Sequence, residues 1–195
     1  MPSTIYLASA SPRRRELLQQ AGVRFEVIAA GVDESRAPHR TPAQHALALA
    51  EAKARAGAAA APQPWPVLGA DTDVVVDGEI LGKPADRAHA LALLARLSDR
   101  THEVLSAVAV LSAGRIATAL SVTRVTFGPV TADDAAAYWD TGEPRDKAGA
   151  YGIQGLGARF VKHIEGSYSG VMGLPLYETC ELLRGAGVST SHGAP

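Results

Sequence analysis

The first feature that could do chemistry is a cluster of three arginines at the start of a predicted helix. Ser11 is a good N-cap residue and Pro12 a good first helical residue, so the arginines at 13, 14 and 15 fall in the first turn. Cations at this positive end of the helix dipole each cost about 0.3–1 kcal/mol, unless an anion lies over the free backbone N–H groups. The serine-bearing turn and the arginine-led helix therefore predict a phosphate-binding cradle. The alternative is a solvated basic surface.

Two carboxylates share one face of the most apolar predicted strand, residues 67–76. Because side chains alternate along a strand, Asp71 and Asp73 point to the same face and Thr72 points to the other. Aspartate is depleted in strands, so two on one face of a buried segment need a reason. One reason is a divalent metal and a water molecule held against a phosphate. In the alternative, Asp73 faces solvent near the strand end and Asp71 is satisfied by Lys83 or an arginine.

Two lysines are placed where they could contact a phosphate. Lys53 lies on a helix that begins with the capping box at residues 41–44, and it leans toward the buried side of that helix. It either snorkels to solvent or reaches into a cleft. Lys83 follows a hairpin turn predicted at residues 77–78, which brings it back toward the carboxylate-bearing strand. The segment around Lys83 lacks the spacing of a Walker P-loop.

A glycine-rich segment, residues 146–155, surrounds a single side-chain amide. Glycines let the backbone approach a flat ligand closely, and Gln154 offers both a donor and an acceptor, which the edge of a uracil or thymine ring requires. The alternative is an ordinary glycine-rich connection between strands. The glycines at 152, 155 and 157 do not form a dinucleotide-binding fingerprint.

The composition argues against several classes of protein. A formal net charge of −1 and a pI near 6.6 argue against a general nucleic-acid or membrane-surface binder. No apolar run approaches the roughly 20 residues that span a bilayer, and the N-terminus lacks a signal-peptide pattern. Scattered histidines and the single Cys180 give no zinc-binding pattern. We therefore expect a soluble cytoplasmic protein with neither a nucleic-acid nor a membrane partner.

The rest of the pattern predicts the elements that must position these side chains. Hairpin turns are expected at residues 77–78 and 112–114, among alternating strands and capped helices. Two hairpins in such a pattern favour a mixed sheet, so we expect one α/β domain over residues 1–186 and a frayed tail over 187–195. The predicted strands are 5–7, 25–28, 67–76, 79–81, 103–111, 115–127 and 159–164, and the predicted helices are 12–22, 41–60, 86–97, 131–140 and 175–184.

Taken together, these residues resemble the Maf family of nucleotide pyrophosphatases. The resemblance extends over residues 7–183, and the chain is similar in its motifs Ser9-Ala-Ser-Pro-Arg-Arg14 with Glu16-Leu-Leu18, the Glu34 loop, Lys53-Ala54, Gly69-Ala-Asp-Thr72, Gly82-Lys-Pro84, Asp146-Lys-Ala-Gly149 and Gly173-Leu-Pro175. It implies the fold of that family: an α/β mixed twisted sheet flanked by helices, with two lobes around a deep cleft, like the inosine triphosphate pyrophosphatases.

The resemblance also implies an activity. The form of residues 146–155 resembles the branch that hydrolyses dTTP and UTP to the monophosphate and pyrophosphate, with a divalent metal cation (Mg²⁺ or Mn²⁺), in a cytoplasmic homodimer. Asp71 would be the proton acceptor, and Asp73 stands where the family pattern has an apolar residue. By the same resemblance, base specificity would be set by Arg13, Thr72 and Gln154. The triphosphate would be held by Ser9, Arg14, Lys53 and Lys83. The metal would be bound by Glu34 and Asp71.

Two other functions stay open at the level of the sequence. One is the sister branch of the same family, which acts on 7-methyl-GTP and differs in the segment 146–155. The other is a nucleotide-binding regulator, because the family has also been linked to arrest of septum formation. Retention of Asp71, Lys53 and Lys83 together favours the enzyme.

Overall fold

A computed structural model describes residues 4–35 and 39–190 of the chain. Helices and strands alternate along most of it, as the sequence predicts. The strands are β1 (Ile5–Leu7), β2 (Phe25–Val27), β3 (Val67–Val76), β4 (Glu79–Leu81), β5 (Thr101–Ser112), β6 (Arg115–Phe127) and β7 (Val161–Glu165). The helices are α1 (Pro12–Gln20), α2 (Pro42–Ala60), α3 (Arg87–Leu97), α4 (Ala132–Asp140), α5 (Tyr168–Met172) and α6 (Leu176–Gly185).

All seven strands form one mixed sheet in the order β2-β1-β3-β5-β6-β7, with β4 paired to the end of β3. β1 runs parallel to β2 and β3, whereas the pairs from β3 through β5 and β6 to β7 are antiparallel. Both predicted hairpins are present, and β5 and β6 pair along their full length. The prediction of a mixed sheet flanked by helices is confirmed.

Local capping explains where the helices begin. The Ser11 side chain accepts a hydrogen bond from the backbone N–H of Arg14, so α1 starts at Pro12 as predicted. Complete capping boxes at the starts of α2 and α4 pair Thr41 with Gln44 and Thr131 with Asp134. These signals are local, which is why the predicted boundaries agree closely with the observed ones.

Two large hydrophobic clusters form most of the core. One packs α3 and α4 against the ends of β3, β5 and β6, around Leu94, Phe127 and Tyr138. The other packs α1 and α6 around β1 and the first half of β3, with Leu7 and Leu183 fully buried. Residues of both clusters line one deep cleft, so its walls come from two separate parts of the core.

The structure departs from the predicted elements in a few places. The helix α5 was not predicted, and β7 begins at Val161 because the residues before it form a 3-10 turn, Leu156–Phe160. The tail predicted to be frayed begins at residue 187, but Val188 is packed in the core and its N–H group donates to the carbonyl oxygen of Leu183. Residues 191–195 of that tail lie outside the described residues. Across residues 4–35 and 39–190, no helix has both the length and the apolar character needed to cross a bilayer.

Candidate active site

The residues that the sequence singles out converge on one cleft of about 1080 Å³. Its lining draws on segments from Ala8 to Gly173, so most of the chain contributes to it. A second cavity of about 580 Å³, beside the β3–β4 turn, contains none of the predicted residues. The predicted residues that line the large cleft are Ser9, Arg13, Arg14, Glu34, Lys53, Asp71, Thr72, Lys83 and Gln154.

An ammonium group between two carboxylates lies at the centre of the cleft. The Nζ atom of Lys53 lies 2.8 Å from Oδ1 of Asp71 and 2.7 Å from Oε1 of Glu34. The side chains of Lys53 and Asp71 are each only 10% exposed, whereas that of Glu34 is 59% exposed. Lys53 therefore reaches into the cleft instead of snorkelling to solvent. Its hydrogen bond lowers the pKa of the Glu34 carboxyl, against the opposing effect of partial burial.

The alternative interpretation of the two strand aspartates is wrong in both parts. Asp71 is bonded by Lys53, not by Lys83 or an arginine. Asp73 is buried and lines the cleft instead of facing solvent near the strand end. The two carboxylates on this face of β3 thus both belong to the site.

Helix α2 can place Lys53 against Asp71 because β3 lacks a side chain at Gly69. A Cβ atom there would lie 2.2 Å from the carbonyl oxygen of Ala50 and 2.5 Å from the nitrogen of Ala54. The helix backbone therefore rests directly on the strand, and the lysine beside Ala54 meets the aspartate two residues beyond Gly69.

Arg14 joins the serine turn to the opposite wall of the cleft. Its Nη1 donates to Oγ of Ser9 at 3.1 Å, its Nη2 to Oγ1 of Thr72 at 3.2 Å, and its Nε to the carbonyl oxygen of Gly173 at 2.8 Å. Burial lowers the pKa of the Arg14 guanidinium, while the nearby charge of Asp71 raises it. Three donated bonds fix the guanidinium plane, so Arg14 presents an oriented positive charge to the cleft.

The other basic residues surround this centre at the rim. Arg13 lies 3.3 Å from Asp146, at the start of the glycine-rich segment. Lys83 is exposed after β4, and its charge contributes to the low pKa of Glu34. Gln154 is exposed at the cleft surface. The predicted phosphate-binding and base-reading residues therefore share one surface, on which Arg14 and Thr72 contact each other directly.

His45 and Lys147 also line the cleft, and sequence reasoning did not single them out as site residues. His45 lies on α2 eight residues before Lys53, on the same helix face, and that spacing was a signal available in the sequence. Lys147 lies within the glycine-rich segment, and its Nζ donates to Oδ1 of Asp146 at 2.8 Å.

The donor atoms at the centre of the cleft are of the kind that a hard cation prefers. Glu34 and Asp71 bring carboxylate oxygens to the same ammonium, and Mg²⁺ is commonly held by one or two carboxylates together with substrate phosphates. In the part of the chain that the structure describes, no group of three or more histidine, cysteine, aspartate or glutamate side chains could form a complete metal cage. The chemistry of the Glu34 and Asp71 oxygens is what fits a hard cation here.

Fold and site together define an α/β protein with a cleft that is basic at its rim and carries carboxylates at its centre. The family described as Maf-like protein matches residues 4–186. The chain therefore belongs to the Maf family.

Relatives with assigned names are similar in sequence to this chain over nearly its whole length. A dTTP/UTP pyrophosphatase from Methylobacillus flagellatus is 55% identical over 186 residues, covering 95% of this chain and 94% of that protein. A dTTP/UTP pyrophosphatase from Escherichia coli O157:H7 is 54% identical over 181 residues, covering 93% and 92%. The crystal structure of protein VC0702 from Vibrio cholerae superposes with a TM-score of 0.51 at 12% identity, covering 97% of this chain and all of that one, a likeness of fold alone.

Proposed function

We propose that this protein is a nucleoside triphosphate pyrophosphatase that hydrolyses dTTP and UTP to the monophosphate and pyrophosphate. The observation that carries the proposal is the ion-paired centre of the cleft, where Lys53 holds Asp71 beneath a basic rim. Relatives more than half identical over nearly the whole chain bear the name dTTP/UTP pyrophosphatase.

The basic residues bind and orient the triphosphate. Ser9 and the N-terminal turn of α1 supply hydroxyl and backbone donors, and the oriented guanidinium of Arg14 adds charge beside them. Lys53 and Lys83 supply compact positive charges that suit phosphate oxygens. Holding the α-phosphorus in line with an attacking water lowers the entropic part of the barrier.

Asp71 is the residue we assign as the proton acceptor. Lys53 bonds Oδ1, which fixes the orientation of the carboxylate, and we assign Oδ2 to take the proton from the attacking water. The water oxygen bonds the α-phosphorus, the bond from that phosphorus to the bridging oxygen breaks, and pyrophosphate leaves with its electron pair.

A divalent cation, Mg²⁺ or Mn²⁺, is the cofactor we propose, with Glu34 and Asp71 as its protein ligands. When bound, such a cation neutralises negative charge that builds up on the phosphate oxygens. Lys53 contacts both carboxylates, so the two proposed ligands lie close together in the cleft.

Base specificity is assigned to Gln154 together with Arg13 and Thr72, which also line the cleft. Gln154 offers the donor and acceptor that the edge of uracil or thymine requires. Arg13 and Thr72 are grouped with it on the basis of the family resemblance, and Arg13 contacts Asp146 at the start of the same glycine-rich segment.

On the basis of the same resemblance, we propose a cytoplasmic homodimer that binds neither nucleic acid nor membranes. Light scattering of the purified protein tests the dimer.

A nucleotide panel with separate detection of pyrophosphate and orthophosphate tests the reaction. Pyrophosphate release from dTTP and UTP with Mg²⁺ is the expected outcome. Preference for 7-methyl-GTP would place the protein in the sister branch, and release of orthophosphate alone would refute the proposed cleavage. Tight nucleotide binding without turnover would favour a binding protein that acts through a partner.

A further inference from the structure

The short segment that carries Gln154 is held on both sides by one pair of side chains. Before Gln154, the N–H of Gly152 donates to Oη of Tyr138 at 3.1 Å. After it, the N–H groups of Leu156 and Gly157 donate to the Glu143 carboxylate at 2.9 and 3.1 Å. Tyr138 itself donates to Oε1 of Glu143 at 2.7 Å, so the two anchors are joined.

This pair has a rigid base. Tyr138 is 2% exposed on α4, and its ring packs edge-on against Phe160 at 5.3 Å between centroids. Burial raises the pKa of the Tyr138 hydroxyl, so it remains protonated and donates its hydrogen to Glu143. Desolvation acts to raise the pKa of Glu143, but hydrogen bonds from Tyr138, Leu156 and Gly157 outweigh it and lower that pKa. Glu143 is therefore charged at neutral pH.

The loop also packs tightly on the pair. A Cβ atom at Gly157 would lie 2.4 Å from the carbonyl oxygen of Gly152 and 2.6 Å from Oη of Tyr138. Only glycine fits there, so the two ends of the loop stay in contact with the hydroxyl. The positions of residues on either side of Gln154 are thus coupled to one phenol and one carboxylate.

We propose that Tyr138 and Glu143 are positioning residues that set the place of Gln154 and thereby the preference for a uracil or thymine base. The inference rests on the proposed function, in which Gln154 reads the base. Both side chains act through the backbone N–H groups of the loop, since these are their bonds to it. The phosphate-binding centre at Lys53 and Asp71 lies on α2 and β3, and the hydrogen bonds of Tyr138 and Glu143 run to the loop and not to that centre.

Two conservative variants test the pair. Glu143→Gln replaces one acceptor oxygen by an NH₂ donor that faces a backbone N–H, and Tyr138→Phe removes only the hydroxyl. Because a small misplacement of a binding group costs much of its effect, the ratio of kcat/KM for UTP to that for CTP should fall about tenfold in each. Most of the change should come through KM for UTP. Glu165→Gln, an exposed glutamate paired with Arg124, is the matched control and should keep the wild-type ratio.

Two further measurements separate positioning from loss of fold. NMR-detected hydrogen exchange should show faster exchange at the amides of Gly152, Leu156 and Gly157, while amides in β5 keep their protection. In the Gln154→Ala background, Glu143→Gln should reduce the UTP preference no further, because the side chain it positions is already gone.

Different results overturn different claims. An unchanged UTP-to-CTP ratio, or unchanged exchange at the three amides, in both variants refutes the positioning role and leaves the proposed reaction intact. If Gln154→Ala keeps the wild-type ratio, base reading by Gln154 is wrong and the positioning role falls with it. If the wild-type protein releases no pyrophosphate from UTP, the proposed function is wrong, whatever the exchange rates show.

Discussion

Asp71 is the residue whose chemistry the site depends on most directly. Asn at this position keeps the side-chain shape and an oxygen that Lys53 can bond, but it removes the charge and the ability to take a proton. We expect Asp71→Asn to lower kcat about 100-fold or more, the usual contribution of a general base. Binding of a nonhydrolysable UTP analogue, measured by calorimetry, should change only a few-fold.

Asp77→Asn is the matched control for that substitution. Asp77 is an exposed carboxylate in the turn at the end of the same strand, paired with Arg100 at 2.6 Å outside the cleft, so its variant should turn over normally. Near-normal pyrophosphate release by Asp71→Asn would remove Asp71 from the role of base.

His102 gives a second prediction at the level of single residues. The residue is 2% exposed, and its Nε2 lies 2.7 Å from Oη of Tyr151. Burial lowers the pKa of His102 from 6.5 to about 4, so between these values the unfolded chain binds a proton that the folded chain does not. Stability should therefore fall as the pH falls from 6.5 to 4, by on the order of 3 kcal/mol in total from this group.

Urea unfolding at several pH values measures this effect. His102→Gln should flatten the dependence in that window, whereas His163→Gln, on an exposed residue of β7, should leave it unchanged. Equal slopes for the His102 variant and the wild type would show that His102 does not titrate on unfolding in this window.

The packing of α2 on β3 is the feature that matters at the level of elements. Gly69→Ala places a methyl group within 2.2 Å of a helix carbonyl, so the helix must move away from the strand. Overpacking of this kind costs about 1–3 kcal/mol, and the shift also separates Lys53 from Asp71. We expect a lower urea midpoint together with a lower kcat.

Gly128→Ala is the control for the glycine substitution. No atom lies within 4 Å of a Cβ built at Gly128, so the added methyl group meets open space. Its stability should remain within about 0.5 kcal/mol of the wild type. Normal stability and activity of Gly69→Ala would contradict the close approach of helix and strand.

The places where helices begin could be predicted from the sequence, whereas contacts between elements could not. The starts of α1, α2 and α4 were predictable because each N-cap side chain bonds a backbone N–H only three residues away. The pairing of Asp71 with Lys53 was not, because its partners are 18 residues apart and meet only when α2 lies on β3. Helix α5 was missed although Ser167 caps it locally, because five residues are too few to show a helical period in the sequence.

At the site, residue types were predictable and contacts were not. The turn, the carboxylate-bearing strand and the glycine-rich segment each carried a local chemical signal, and all nine named side chains line the cleft. Which acid meets which base depends on the arrangement of distant elements. The anchoring of the Gln154 loop by Glu143 gave no signal in the sequence, because backbone N–H groups of any residue type can donate to a nearby carboxylate.

The cleft exists only in the folded chain. Its lining extends from Ala8 to Gly173, so partial unfolding removes part of the site. A nonhydrolysable UTP analogue with Mg²⁺, at 100 times its dissociation constant, should raise the free energy of unfolding by about 2.7 kcal/mol. Urea titrations with and without the analogue measure the increase.

The nucleotide base provides the control for that measurement. An adenosine analogue at the same concentration keeps the triphosphate but lacks the edge that Gln154 is assigned to read, so it should stabilise the protein less. Equal stabilisation by both analogues would show that the triphosphate alone determines affinity.

The bonds from Arg14 to Gly173 and Thr72 have a consequence for the protein as it is made. The acceptor at Gly173 is synthesised 159 residues after the guanidinium that needs it. At translation speeds of about 5–20 residues/s this delay is about 8–30 s. A nascent chain that stops before Gly173 lacks the carbonyl oxygen to which Nε of Arg14 donates. Truncated products should therefore be inactive, even where their first strands have paired.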